Sequence, residues 1–517
     1  MEKSKLNMAI DVVIATAGMG SRMTVISDQL HKGLLPYLDR PILWHIIGRI
    51  PENLQIGISL GYKGKQIRDF CELVFPERHI IFLEVDDWFS ETSGTAYSLT
   101  CAEGDLNSSF WYLPCDGYFN ESFFEPPLAE SIFFVQDVQP ENSGHYQTFE
   151  LDAENRIKKS MHKVDGLSAV VAFTGVMKIN SKEDFFRDLR KIGAKEFTAV
   201  IPFGSKTQPL ETWTDLGNEK AYVKAISETT AFDFTKPGEF TYILPNDILK
   251  WWPDELSAMQ KTIKPNFNRK VFPNKIRTNG EFLAYEKSPG SSYYEHVTPE
   301  NFSKLMRWLR ENFWHVVNQN IETSCREFYE QKTRSRVSLM APSLSKPDYK
   351  IRSVDGVAVT EWEQYFNNIN WDDIVVNAAV SLMHGDLQFD NVIFDLETQQ
   401  FKLIDWRNTF GAETVLGDIY YDFAKLLGGI RLNYKLVKEN QFGIQNLDGD
   451  VTLEIPTAAN SELLEEILKC EAEILGLDYS KVEILVPIIY WNMAPLHAEP
   501  FSLFLWALGM KNFELLK

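Results

Sequence analysis

Two stretches of the 517-residue chain concentrate the residue types that handle phosphate. In the C-terminal half, HGDLQFDN at 384–391 is followed, after an apolar strand, by Leu403, Ile404, Asp405 and Trp406. One carboxylate in such a set can orient a hydroxyl and take its proton, while an amide and a second carboxylate hold a hard divalent ion around a transferring phosphoryl group. Asp386 is therefore assigned as the base or hydroxyl-orienting residue, and Asn391 and Asp405 as Mg2+ ligands. His384 reads as a structural hydrogen-bonding residue, because Asp386 already accounts for the proton. In the N-terminal half, IATAGMGSRM at 14–23 ends an apolar run in Gly18, Gly20, Ser21 and Arg22, a turn whose backbone N–H groups can approach phosphate oxygens closely. Met23 stands where a dinucleotide-binding fingerprint needs its last glycine, and no GK[ST] follows, so neither that motif nor a P-loop is present. Arg22 offers a fixed fork of donors and Lys32 a mobile positive charge, although a structural turn beside a surface Arg/Lys pair is the competing reading. Asp116, just past a strand ending at Leu113, and Asp215, in WTDLG at 213–217, form a second oxygen pair for Mg2+. Taken singly, either aspartate is an ordinary turn former or solvated acid.

These residues need elements to position them. Apolar runs at 11–17, 54–61, 79–85, 109–117, 131–137 and 167–179 predict strands, and the longer spacers between the earlier ones predict crossover helices of a parallel, layered α/β unit complete by about residue 228. From 232 to 254 aromatic and aliphatic residues alternate on either side of Pro245, Asn246 and Asp247, predicting strand, turn and strand, and 279–290 predicts another strand and a hinge. Helical periodicity at 301–317 and 461–477 predicts a larger helical lobe. The second unit thus reads as α+β, with a small lobe over about 229–290 and a large lobe over about 291–517.

Composition narrows the function classes. Lys and Arg number 52 against 72 Asp and Glu, a formal charge of −20 that disfavours long-range attraction to nucleic acid or anionic lipid. With 44% hydrophobic and 13% aromatic residues, a mainly disordered chain is excluded. Five cysteines, at 71, 101, 115, 325 and 470, show no CxxC spacing and read as cytoplasmic thiols. The apolar segment 482–510 is interrupted by Pro, Asn, His and Glu, so no stable membrane insertion is expected.

The first unit resembles nucleotidyltransferases of the sugar-phosphate and phosphocholine cytidylyltransferase type. The resemblance rests on 14–23 together with HKGLLPYLDRPIL (31–43), LGYKGKQI (60–67), SGTAYSL (93–99), PCDG (114–117) and WTDLGNEKAY (213–222). It implies an α/β layered nucleotidyltransferase domain over 1–228. In that family, positions matching Arg22 and Lys32 contact the triphosphate, with Gly18, Gly20 and Ser21 in the nucleotide cradle. Gly94 and Thr95 match positions near the base, Asp116 and Asp215 the metal-binding aspartates, and Lys163, ahead of FTG at 173–175, a lysine near the acceptor phosphate. Two departures are that Gly33 rather than proline follows Lys32 and that Val164 follows Lys163.

The second unit resembles the aminoglycoside phosphotransferase and choline kinase family, related in fold to protein kinases, which implies a two-lobed domain over 229–517. The match makes Lys250, in ILK at 248–250, the ATP-phosphate lysine, offers Glu255 as its opposing helix acid, and makes Asp418 and Asp422, in GDIYYDFAKLL, braces of the large lobe. Trp406, Phe410, Trp491 and Trp506 could present aromatic faces to a quaternary ammonium, with core packing as their default role.

Together the resemblances imply a cytoplasmic bifunctional enzyme. ATP would phosphorylate a small hydroxylated acceptor, and CMP from CTP would be transferred to that phosphate with release of pyrophosphate, both steps using Mg2+. UTP- or GTP-dependent sugar-phosphate activation, two unconnected activities, and a noncatalytic nucleotide-binding scaffold are the alternatives. The product would serve surface polysaccharide or lipid modification.

Overall fold

The computed structural model describes residues 9–20, 23, 28–90, 94–124, 130–192, 196–229 and 238–517; Ser21 and Arg22 lie outside the described residues. The N-terminal unit is built on a nine-stranded sheet. Its strands are β1 (Ile10–Ala15), β2 (Ile56–Leu60), β3 (Ile80–Glu84), β4 (Leu106–Pro114), β5 (Ile132–Asp137), β6 (Gln147–Leu151), β7 (Ile157–His162), β8 (Val171–Ile179) and β9 (Lys206–Pro209). The main path runs β7-β6-β8-β4-β1-β2-β3, with β5 pairing β8 and β9. Helices α1 (Gly64–Val74) and α2 (Thr95–Ala102) cross between parallel strands, as the spacer lengths require.

The sheet is not wholly parallel. β8 runs antiparallel to β4, β5 and β6, and β6 pairs antiparallel with β7. Between β6 and β7 only a tight turn intervenes, closed by Glu154 and Arg156 N–H donating to Asp152 Oδ1 at 2.9 Å each, and a connection that short can only reverse the chain. Apolar runs reveal that a strand is buried on both faces, not which way it runs. Along β4 the alternation sends Phe110 and Tyr112 to one core and Trp111 and Leu113 to the other.

That second core does not stop at the end of the unit. The strands β10 (Phe240–Ile243), β11 (Asp247–Trp251), β12 (Arg277–Asn279) and β13 (Phe282–Glu286) form an antiparallel sheet in the order β10-β11-β13-β12. Tyr242, Leu249, Trp251, Phe282 and Ala284 from it join the same cluster as Ile58, Ile67 and Phe70. The Phe70 and Phe282 rings lie 6.0 Å apart, and the Tyr242 hydroxyl donates to the Leu34 carbonyl at 2.6 Å. One polar bridge runs through this contact. His31 N–H donates to Gln66 Oε1 at 2.8 Å, Gln66 Nε2 donates to Glu281 Oε2 at 2.7 Å, and Trp251 Nε1 donates to the same oxygen at 2.8 Å.

The C-terminal region is mostly helical and packs α3 (Pro299–Asn312), α4 (Lys332–Leu339), α5 (Ile419–Arg431), α6 (Ser461–Ile474), α7 (Tyr479–Met493) and α8 (Phe501–Leu515) around one core. The helix expected to reach 317 stops at Asn312. Trp314 instead packs against Phe423, ring centres 4.8 Å apart and planes tilted by 30°, and donates from Nε1 to Asp422 at 3.2 Å. The hairpin β14 (Val392–Asp395) and β15 (Gln400–Leu403) separates the 384–391 segment from Asp405. Among the described residues no helix is long and apolar enough to cross a membrane, and all five cysteines are free thiols.

Candidate functional site

The first candidate site lies where β1 and β4, neighbours in register with Ala15 opposite Pro114, release their chains at the same sheet end. After β1 the turn passes through Gly18 and Gly20. Gly20 has φ +66°, and a Cβ there would stand 3.0 Å from the aliphatic stem of Lys32, so a left-handed turn and a close approach both require glycine. The Lys32 ammonium reaches across to Asp116 Oδ2 at 2.7 Å, with both side chains largely enclosed.

Asp215 arrives on the ribbon Thr214–Asp215, which pairs antiparallel with Gly117–Tyr118, while Leu216 N–H donates to the Asp116 carbonyl at 2.9 Å. Its carboxylate accepts from Gly217 N–H at 2.8 Å, Asn218 Nδ2 at 3.1 Å and the Tyr146 hydroxyl at 3.1 Å. Gly217 marks the point on which the two acids converge: a Cβ there would lie 2.8 Å from Asp116 Oδ2 and 3.1 Å from Asp215 Oδ1. Two converging carboxylates with no side chain between them fit an Mg2+ ion that takes its remaining ligands from phosphate and water.

Three residues supporting this site escaped the sequence reading. His31 is fully buried; its Nδ1 accepts from Gly33 N–H at 3.0 Å, so its Nε2–H donates to the Thr16 carbonyl at 2.8 Å. Burial pushes its pKa down to about 3, leaving a neutral ring that ties the glycine turn to the Lys32 segment. Tyr146 links Asp215 to Lys163, whose N–H donates to the Tyr146 carbonyl at 3.0 Å. Gln66 is the third, through its bond to His31. Lys163 itself occupies a left-handed turn position (φ +51°) with an exposed side chain. Gly94 and Thr95 open α2, where Thr95 Oγ1 donates to Glu196 at 2.6 Å. A buried histidine has no local sequence mark, because neither its enclosure nor its partners are adjacent in the chain.

The second candidate site is assembled on the 384–391 loop. His384 is buried and neutral: Nδ1 accepts from Asp386 N–H at 3.2 Å, Nε2–H donates to the Ile404 carbonyl at 2.8 Å, and burial lowers its pKa to about 4. Asp422 accepts from Gly385 N–H at 2.7 Å and His384 N–H at 2.9 Å, fixing the loop from below. Asp418 accepts from Ala379 N–H and the Tyr329 hydroxyl, both at 3.0 Å, and pairs with Lys481 at 3.2 Å. Both aspartates are fully buried braces. Asn391 donates from Nδ2 to the Asp386 carbonyl at 2.7 Å, and its own carbonyl accepts from Ile404 N–H at 2.9 Å, which sets it beside Asp405. Asp405, in a left-handed conformation at φ +57°, forms an ion pair with Lys250 of β11. The Asp386 carboxylate pairs with Lys425 of α5 at 2.7 Å.

Glu255 does not serve Lys250. It pairs with Lys65 of α1 at 2.8 Å, and the carboxylates around Lys250 are Asp405 and Glu239, the latter at 3.5 Å. Burial opposes the Lys250 ammonium, but those two acids outweigh it and hold the pKa above the usual lysine range. Trp406, Phe410, Trp491 and Trp506 are all fully buried, and Trp491 stacks on Trp506 at 4.8 Å, so core packing accounts for them. Among the described residues no three His, Cys, Asp or Glu side chains form a ready metal cage. The candidate donor sets are all-oxygen pairs, Asp116 with Asp215 and Asn391 with Asp405, which suit Mg2+ carried in with a nucleotide.

Residues 330–443 match the phosphotransferase enzyme family (APH). Among curated proteins, bifunctional protein GlmU of Methanocaldococcus jannaschii is 26% identical over 219 residues, covering 40% of this chain and 51% of that protein. GlmU of Methanococcus maripaludis is 26% identical over 162 residues, covering 30% and 36%. The chain spans about half, or less, of the length of these relatives. CTP:phosphocholine cytidylyltransferase (LicC) from Streptococcus pneumoniae aligns with a TM-score of 0.36 at 15% identity, over 43% of this chain and 100% of that one. HddC from Yersinia pseudotuberculosis aligns at 0.35 and 18%, over 43% and 100%. The phosphotransferase match thus covers residues 330–443, in the C-terminal half, and the chain is in addition similar to GlmU at 26% identity over part of its length.

Proposed function

We propose that the chain is a bifunctional enzyme that phosphorylates a small hydroxylated acceptor with ATP and then transfers a nucleotidyl group, CMP from CTP, to the new phosphate. The observation that carries this reading is a repeated arrangement: in each unit a lysine, Lys32 or Lys250, is ion-paired with one member of an oxygen pair. A nucleotide polyphosphate bringing Mg2+ would take over both partners, the lysine through its phosphate oxygens and the acid through the metal.

In the kinase unit, Asp386 orients the acceptor hydroxyl and receives its proton as the oxygen bonds to the γ-phosphorus. The bond from that phosphorus to the β,γ-bridging oxygen breaks, and ADP leaves with the electron pair. Lys250 holds the ATP phosphates, and Asn391 and Asp405 are the metal ligands. In the transferase unit, an oxygen of the acceptor phosphate attacks the α-phosphorus of CTP and pyrophosphate departs, so no protein nucleophile is needed. Lys32, with Arg22, Gly18, Gly20 and Ser21, cradles the triphosphate; Gly94 and Thr95 contact the base, Lys163 the acceptor phosphate, and Asp116 and Asp215 the metal. In both steps the bound ion would neutralise charge developing on the phosphate oxygens.

A matrix of acceptors against ATP, and of phosphorylated acceptors against CTP, UTP and GTP, tests the proposal by measuring ADP and pyrophosphate. ADP that depends on acceptor, and pyrophosphate released best with CTP, are expected. Absence of both products across the matrix would sink it.

A further inference from the structure

Beside Asp386 the large lobe gathers positive charge. Lys425 pairs with the Asp386 carboxylate at 2.7 Å. Arg407 leans over the same loop, its N–H donating to the His384 carbonyl at 2.8 Å and its Nε to the Gly385 carbonyl at 3.3 Å. Lys332, the first residue of α4, sets its ammonium 3.3 Å from the centre of the Phe328 ring and 5.3 Å from that of Tyr421. Arg407 lies 5.2 Å from the Phe328 ring as well. Phe328 belongs to a π-helical turn, Arg326–Gln331, that directly precedes α4; such turns are rare and cluster at functional sites.

The Phe328 and Tyr421 faces are therefore already covered by the protein's own cations. Burial, then the charges of Arg407, Arg336 and Lys425, hold the Lys332 ammonium well below its usual pKa, against the pull of Asp386. Asp386 is itself engaged by Lys425, so that the charges acting on Lys332 are those of Arg407, Arg336 and Lys425 against one carboxylate. An incoming cation would meet like charges and occupied rings, whereas an anion would relieve the crowding.

Resting on the kinase reading above, we infer that the acceptor phosphorylated at Asp386 is a small hydroxylated anion, such as a hydroxy acid or a polyol phosphate. Lys332 and Arg407 bind its carboxylate or phosphate, and Lys425 hands Asp386 over to the hydroxyl. Lys332 and Arg407 then act as selectors of acceptor charge.

The test follows ADP release by the full chain with ATP and three sets of probes. These are anionic (glycerate, gluconate, glycerol 3-phosphate), neutral (glycerol, glucose) and cationic (choline, ethanolamine). The inference expects the anionic set to be used with kcat/KM about tenfold or more above the others, the scale of one charged hydrogen bond. Lys332→Met should raise KM for the anionic acceptor about tenfold with KM for ATP unchanged, and Lys332→Arg should restore most of the loss. Arg407→Gln gives the same readout should Lys332→Met fail to fold. Preference for choline or glycerol, or variants that shift KM for ATP and acceptor alike, would overturn the charge assignment and leave the kinase reading standing. No ADP with any probe would overturn both.

Discussion

At the scale of single residues, Gly217 carries the sharpest consequence. Its missing Cβ is the space into which Asp116 and Asp215 both point, so Gly217→Ala should cut pyrophosphate formation about tenfold or more by displacing the acids from their common point. The melting temperature should stay within a few degrees of the parent, about what a sub-kcal/mol change produces. A fully active Gly217→Ala enzyme would show that the two acids do not work together. The buried histidines make a second prediction. His31 and His384 hold pKa values near 3 and 4 against an ordinary 6.5, so as the pH falls through that interval the unfolded chain takes up protons that the folded chain refuses. Stability is fully retained above 6.5 and is lost below it, by up to about 1.4 kcal/mol per pH unit for each ring. The urea midpoint of the parent should therefore drop between pH 7 and pH 5 more steeply than that of a His31→Asn variant, a comparison in which the opposing proton uptake of Asp422, raised by burial to about 6, cancels; equal slopes would mean that the His31 ring is not held neutral.

At the scale of elements, the placement of chemistry at strand ends was readable, and the long-range partners were not. The strands at 56–60 and 80–84 fall inside the predicted apolar runs, and those at 10–15 and 106–114 overlap theirs but begin one and three residues earlier, since a buried strand is marked by its own composition while its polar ends are not. The acids after them are local in sequence too. Glu255 pairs with Lys65 rather than Lys250, a choice that depends on how segments distant in sequence pack and leaves no local mark. The same packing creates the Gln66–Glu281–Trp251 bridge between α1, the turn before β13, and β11, and none of its members carries a local sign of it. Glu281→Ala should leave the Gln66 and Trp251 donors without this acceptor and cost about 1–3 kcal/mol in denaturant unfolding. A change within about 0.5 kcal/mol, the range of an ordinary surface substitution, would indicate that the bridge contributes little.

At the scale of the whole molecule, the small sheet is shared property. Phe282, Leu249 and Trp251 complete the core beneath the proposed transferase site, while Lys250 on the same strand pairs with Asp405 of the proposed kinase site. This joint core fixes the two sites relative to one another without merging their chemistry, since Asp116 and Asp386 stand in separate carboxylate clusters on different elements. The two sites therefore divide the labour, and two substitutions in the 517-residue chain probe that division. Products are assayed from ATP, CTP and an acceptor, and again from CTP with the phosphorylated acceptor supplied. Asp386→Asn should abolish acceptor-dependent ADP yet still release pyrophosphate from the supplied phosphate. Asp116→Asn should form ADP and the phosphorylated acceptor yet release no pyrophosphate. Loss of both products in either folded variant, or retention of both, would contradict the account.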